Sequence, residues 1–255
     1  MIKINNKEFL YSFSQNRTYD ECPMKYYFKY YEGLKEPSNE NLELGSAIHK
    51  LLELQWWNVN QDNYFELDRD AYDDAIAAEK LIKDRKGRMY LEQLLDEMSE
   101  FFQNKQILFS ECDIRVDDCI CKIDLIYKDK TLPNKIILAD YKVTKKPKSD
   151  IEMHQEGQLL LYKYAFAQSE KYKAIDPQDD IDLDDILTQY INILPYSSFK
   201  IIEPSGLVPI SMTACKKFYD SMLSNTELIN SLHFPKKKKW CNWCHFKDKC
   251  NAINK

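Results

Sequence analysis

The chain has 255 residues, 44% of them hydrophobic and 30% charged, enough for one large domain or two small ones around an apolar core. Its 36 Lys+Arg against 41 Asp+Glu give a formal net charge of −5, which by itself selects no class of partner. Only five glycines occur, and no two are spaced to build GxGxxG or a Walker-type GxxxxGK loop, so those nucleotide-binding fingerprints are excluded. In chain order, Ser14 is a capping-type residue opening residues 14–31, an aromatic-rich helix broken near Pro23. Residues 44–57 carry apolar side chains at helical spacing, and the polar, acidic stretch 62–105 repeats that period, predicting helices at the rim of the fold. The texture then changes: 106–116, 119–129 and 134–144 are β-rich runs separated by turn-like segments. A helix is expected at about 152–168 with Leu159, Tyr162 and Phe166 on one stripe, and the six Asp of 176–185 predict a solvated loop. Strands at 187–194 and 199–210 precede a helix at 211–231 and the tail KKKKWCNWCHFKDKC. This order predicts a single α/β (α+β) domain over 1–255 with a mixed central sheet and flanking helices.

The middle block carries the chemistry. Asp124 sits in CKIDLIY and Asp140 in ILADYKV, 16 residues later, the separation that two antiparallel strands need for both acids to meet. Asp140 and Lys142 are i and i+2 on a strand, so both side chains leave from one face. Two carboxylates together bind a hard divalent cation such as Mg²⁺. An adjacent ammonium can then orient or deprotonate a water aimed at a phosphodiester. Upstream, His49 in GSAIH can add a nitrogen ligand, and Gly45 leaves room for helix and substrate to approach. Downstream, Gln158 and Tyr162 are i and i+4 on one helix face and can share a phosphate.

The series GSAIH, CKID, ADYK and QLLLY resembles the RecB-type branch of the PD-(D/E)xK nuclease superfamily, which orders GxxxH, a GxxD-like strand, (D/E)xK and QxxxY in the same way. The match spans roughly residues 12–170 and, with the final cysteines, reaches 250. The resemblance implies a restriction-endonuclease-like core and hydrolysis of DNA phosphodiesters on single strands or at ends. It implies His49, Asp124 and Asp140 as Mg²⁺ or Mn²⁺ ligands with the Tyr141 carbonyl a further ligand, and Lys142 as the water-activating residue. Gln158 and Tyr162 would hold DNA and brace the site, with Glu111 a second-tier acid. Two positions depart from the pattern: Cys121 replaces the usual glycine before the metal-binding Asp, and Asp140 stands where Glu is common. On this reading 12–57 is an N-terminal helical part, 58–105 a helical insertion, 106–210 the catalytic sheet with the QxxxY helix, and 211–255 the C-terminal helix and cysteine cluster. A catalytically silent nucleic-acid-binding or scaffold protein of the same fold is the alternative.

Eight cysteines are more than an ordinary core needs. The first residues contain no apolar h-region and no stretch approaches 18 apolar residues, so a cytoplasmic, reducing setting without membrane spans is expected. Such a setting favours metal ligation over disulfides. Cys241-x₂-Cys244-x₅-Cys250 supplies three thiolates. Similarity to iron–sulfur members of the RecB-type branch, AddB-like nuclease domains and a CRISPR-associated adaptation nuclease among them, implies Cys22 as the fourth ligand of a [4Fe–4S] cluster. It also implies a bacterial or phage-encoded protein and a helicase, recombination or CRISPR adaptation partner. Zinc on the same three cysteines with His245 or Cys22 is the competing reading, and CNWCH is also a haem-attachment string. Cys112, Cys119, Cys121 and Cys215 lie in apolar runs and are expected as core thiols. Lys145, Lys146 and Lys148 after the DxK strand, and Lys236–Lys239 beside the cysteines, are candidate DNA-phosphate contacts. The aromatics from Tyr26 to Tyr31 are either base-stacking platforms or packing residues.

Overall fold

Three consecutive β-rich runs form adjacent antiparallel strands of one sheet. The computed structural model describes residues 2–4, 7–37, 44–53, 85–175, 181–195 and 200–252. A short antiparallel hairpin, β1 (Ile2–Ile4) with β2 (Lys7–Phe9), stands beside a six-stranded mixed sheet. The sheet contains β3 (Tyr11–Ser12), β4 (Lys105–Val116), β5 (Cys119–Asp129), β6 (Ile136–Val143), β7 (Ile186–Ile193) and β8 (Ile202–Pro204). β4 runs antiparallel along one edge of β5. The other edge of β5 is shared: β3 pairs in parallel with Cys119 and Ile120, and β6 pairs antiparallel with Leu125–Tyr127. β7 is parallel to β6, and β8 antiparallel to β7.

Helices cover both faces. α1 (Phe13–Glu21), α2 (Pro23–Tyr26, continued as a π-helix over Tyr27–Tyr31), α3 (44–53) and α4 (Arg85–Phe102) precede the long hairpin. α5 (Asp150–Met153), α6 (Gly157–Ala167) and α7 (Glu170–Ile175) form the parallel crossover from β6 to β7. α8 (Met212–Asn230) and α9 (Lys247–Ala252) close the chain. One core lies between the sheet and α6, α8 and the N-terminal helices; the other lies between the opposite face and α3 and α4. The protein is therefore mixed α/β, with a central mixed sheet between helical layers.

Several elements differ from the sequence expectation. The N-cap of α1 is Ser12, not Ser14: Ser12 and Gln15 form a reciprocal capping box. The break falls at Cys22, whose extended backbone is what a following proline imposes. The helix expected at 152–168 is two helices, because Ser149 caps a separate first turn and α6 restarts at Gly157. α6 is buried nearly all round, including Leu160, Leu161 and Lys163, and not along one stripe, since the sheet, α1 and α8 all pack on it. The strand expected at 199–210 is paired only over Ile202–Pro204 and at Val208, because Pro204 has no N–H for a ladder. Within 176–185, Ile181 is buried and Leu183–Asp185 form a 3₁₀ turn. The expected rim helices up to residue 84, the end of the 44–57 helix, residues 176–180 and residue 199 lie outside the described residues. No helix among the described residues is long and apolar enough to cross a membrane.

Candidate active site

The hairpin β4–β5 interrupts its own alternation at one level. Cys119, Cys121 and Ile123 face the α6–α8 core, whereas Leu125 and Tyr127 face the α3–α4 core. Strict period-2 alternation would keep Ile123 and Leu125 on one face, so the flip falls at Asp124. The residue opposite on β4 is Glu111, between the pairs Ser110↔Leu125 and Cys112↔Ile123. Glu111 has φ 48°, a left-handed backbone that costs a non-glycine residue roughly 1–3 kcal/mol. Both acids leave the hairpin where its two strands change face.

The β5–β6 register ends at Leu125↔Ala139, and its continuation by one residue sets Asp124 opposite Asp140. Backbone pairing stops there, and Asp124 Oδ2 accepts the Tyr141 N–H at 2.8 Å in its place. From α3, His49 reaches over this point, with Nε2 3.1 Å from the Tyr141 carbonyl oxygen and Nδ1 3.4 Å from Asp124 Oδ2. His49, Glu111 and Asp124 each offer a ligand atom, all within 4.8 Å of one another. Lys122 Nζ lies 2.5 Å from Glu111 Oε2. Burial pushes the Asp124 carboxyl well above the usual range, the nearby Asp140 pushes it further, and the Tyr141 N–H opposes both.

Asp140 belongs to a second network on the α6 side. Its Oδ1 accepts from Gln158 Nε2 at 2.7 Å and from the Tyr162 hydroxyl at 3.0 Å. Gln158 Nε2 also donates to the Tyr162 oxygen at 2.8 Å, and Lys142 Nζ donates to Gln158 Oε1 at 2.8 Å. Asp140 Oδ2 carries no hydrogen bond although it is buried; it faces Lys142 Nζ at 2.6 Å as an ion pair. Burial, then Asp140 and Asp124, raise the Tyr162 phenol and keep it a neutral donor. Thus Gln158 and Tyr162, expected to share a phosphate, have their polar atoms engaged by Asp140 and Lys142 and brace the site. The compact group joins Glu111, the second-tier acid of the sequence reading, to His49 and Asp124, while Asp140 lies in the adjoining network. A hard cation suits these residues: clustered carboxylates, an imidazole, the Tyr141 carbonyl beside it, and a buried carboxylate oxygen lacking a hydrogen bond.

The structure also gathers the four tail-and-helix cysteines. Cys22, Cys241, Cys244 and Cys250 line one cavity of about 340 Å³ with Phe28, Lys236 and Lys237. Cys22 borders this cavity and His245 does not. Burial, with Cys22 and Cys250 nearby, raises the Cys244 thiol. Their sulfurs are of the type that holds a cluster or a soft metal ion. Cys112, Cys119, Cys121 and Cys215 are buried core thiols, as their apolar runs predicted, and burial pushes Cys121 up to about 12 and Cys119 and Cys215 to about 11.

The surface expectations divide. Lys236 Nζ donates to the Cys250 carbonyl at 2.8 Å and Lys237 Nζ to the Asp20 carbonyl at 2.6 Å, so these two lysines tie the tail down. Tyr26 and Phe28 are buried, and Tyr26, Tyr27 and Tyr31 surround Phe234, which makes this aromatic run packing. Lys146 borders the same cleft as Lys142 and Gln158, but Lys145 does not. Arg17, Lys148 and Tyr190 join that cleft. Of these, Tyr190 had a readable signal, since a parallel β6–β7 pair sets it beside Asp140.

Residues 11–251 match the PD-(D/E)XK nuclease superfamily. Among solved structures, a "Putative exonuclease" from Eubacterium rectale superposes with TM-score 0.53 at 11% identity, covering 94% of this chain and 88% of its own. SSO0001 aligns at TM-score 0.32 and 14% identity over 87% of this chain and 91% of its own, a likeness too low to carry an argument. No curated protein matches the sequence.

Proposed function

The chain belongs to the PD-(D/E)XK nuclease superfamily, whose substrates are nucleic acids, and from that premise we propose that it hydrolyses DNA phosphodiester bonds with Mg²⁺ or Mn²⁺, on single strands or at duplex ends. The observation that carries the reading is the junction of two networks at the end of the β5–β6 pairing. His49, Glu111 and Asp124 converge on one side, and the Lys142–Asp140–Gln158–Tyr162 chain lies on the other. His49, Glu111, Asp124 and Asp140 would hold the cation, with the Tyr141 carbonyl beside them. When bound, such a cation polarises the scissile phosphate as a Lewis acid. Lys142 contributes as a donor. Its ammonium donates to Gln158 Oε1 and pairs with Asp140 Oδ2, and with three N–H groups it retains donor capacity for a phosphate oxygen or the attacking water. Gln158 and Tyr162 hold Asp140 by Oδ1 so that Oδ2 faces the site. End-directed cleavage is favoured over sequence-specific cutting because the motif series resembles exonuclease-like members, and the E. rectale neighbour bears a matching description. The four cysteines that line one cavity support a [4Fe–4S] cluster as a structural cofactor.

The test is digestion of end-labelled single- and double-stranded DNA with the divalent metal omitted and restored. Wild type should cut only with metal. Asp140→Ala, Asp124→Ala and Lys142→Ala should each slow cleavage by about 100-fold or more, the scale of losing one preorganised electrostatic group. Intact DNA under every metal condition, or variants that cut at the wild-type rate, would sink the reading.

A further inference from the structure

The cleft beside Lys142 carries more positive charge than the hydrolytic chemistry uses. Arg17 of α1, Lys142 of β6, and Lys146 and Lys148 of the segment after it border one cleft of about 460 Å³, with Tyr190 of β7 in its lining. Lys142 Nζ and Lys148 Nζ lie 5.2 and 5.8 Å from the Tyr190 ring centroid. One acid, Glu156, shares the lining and pairs with Lys148; Arg17 pairs with Glu21 on its own helix at 3.2 Å. Burial, followed by repulsion from Lys142 and Arg17, pulls the Lys148 ammonium below the usual lysine range. Four cations thus share one cleft: Lys142, Lys148 and Arg17 each have a carboxylate partner, and Lys146 adds a further positive charge at the rim.

The second observation is independent of charge. Tyr190 is 1% exposed, yet its hydroxyl has no hydrogen-bond partner among the described residues. Leaving a buried hydroxyl unpaired is costly, and native structures rarely do so without a ligand or water in place. Burial, then Asp140, raise this phenol and keep it protonated, while Arg17 opposes them. The cleft therefore combines cationic donors with a tyrosine in its wall whose buried O–H still lacks an acceptor, a donor set that suits a phosphate group.

We propose that Arg17, Lys146, Lys148 and the Tyr190 hydroxyl form a phosphate subsite that holds the nucleic-acid strand beside the scissile bond. The proposal rests on the nuclease reading above and adds the residues that position its substrate. A subsite built of phosphate donors reads no base, so it positions the strand without imposing a sequence.

The test compares wild type with Lys148→Ala, Arg17→Ala and Tyr190→Phe on a single-stranded oligonucleotide, with and without a terminal phosphate, across a salt series. KM should rise about tenfold for each variant, the scale of one charge-assisted hydrogen bond, while kcat changes less than about threefold. Each lost cation should also flatten the dependence of log KM on log salt by about 0.7. Lys148→Arg should restore most of the affinity. A rise confined to oligonucleotides with a terminal phosphate assigns the subsite to the strand end; a rise with both substrates assigns it to a backbone phosphate. Unchanged KM and salt slope in variants that melt like wild type would overturn the subsite while leaving the nuclease reading intact, as would a fall in kcat alone. If wild type does not cut, the nuclease reading fails, and oligonucleotide binding to Asp140→Asn by fluorescence anisotropy still decides the subsite through the same three substitutions.

Discussion

Asp124 is held between opposing influences: burial and the Asp140 charge disfavour its ionised form, and one backbone N–H favours it. Its folded-state pKa is therefore raised above that of the unfolded chain, where aspartate titrates near about 3.9. For a group shifted in this direction, the stabilisation is fully present below the unfolded pKa and is lost as pH rises through the folded one. The cation-free protein should accordingly melt at lower temperature as pH climbs from about 4 toward neutrality. Added Mg²⁺ or Mn²⁺ should oppose the loss, because a ligand that binds only the folded state stabilises it. Thermal melts in chelator and in metal, for wild type and Asp124→Asn, check this. The substitution should flatten the pH dependence and weaken the metal response; an Asp124→Asn profile that follows wild type in both would refute the assignment. The meeting of Asp124 and Asp140 was legible, since a 16-residue separation suits two antiparallel strands joined by a turn. The conformation of Glu111 was not, because nothing local marks a left-handed residue where no glycine stands.

At the scale of elements, the start of α6 governs the site, since Gln158 is its second residue. A Cβ on Gly157 would sit 2.5 Å from Phe218 Cζ and 3.0 Å from a Phe13 ring carbon, so helix, α8 and α1 approach to a distance only glycine permits. This close approach was invisible in the sequence because it joins residues far apart in the chain. Gly45, the glycine that the motif singled out, has nothing within 4 Å of its would-be Cβ among the described residues. Gly157→Ala is expected to destabilise by about 1–3 kcal/mol through overpacking. By shifting Gln158 against Asp140 and Lys142 it should also lower kcat more than it raises KM. The Phe218 ring can yield only at the cost of its contact with Phe13, 6.3 Å between centroids. Adding Phe218→Ala should therefore recover kcat even if stability stays low. Melting and steady-state cleavage of the two single variants and the double variant give the coupling; a strictly additive cycle would show that the glycine does not act through Phe218.

Across the whole molecule, the first helices and the last residues of the chain form one assembly. The Tyr19 hydroxyl donates to the His233 carbonyl at 2.6 Å, Lys249 pairs with Glu32 at 2.6 Å, and Phe28 packs on Phe246 at 5.7 Å. The family resemblance pointed to this closure through Cys22 and the three tail cysteines, whereas the partners of Lys236 and Lys237 were not readable, because a sequence does not show which carbonyls lie within an ammonium's reach. These straps exist apart from any cluster, so losing the cluster should loosen the junction without unfolding the sheet. Anaerobically purified protein is expected to be brown, with iron and sulfide in equal amounts. Cys22→Ala should lose most of the iron and melt several degrees lower while retaining its far-ultraviolet circular dichroism. Cys215→Ala removes a buried core thiol on α8 and should keep its iron, which separates ligand loss from general destabilisation. A colourless protein carrying one zinc, with the zinc lost in Cys22→Ala, would replace the cluster by a four-cysteine zinc site; metal content untouched by Cys22→Ala would remove Cys22 from either one.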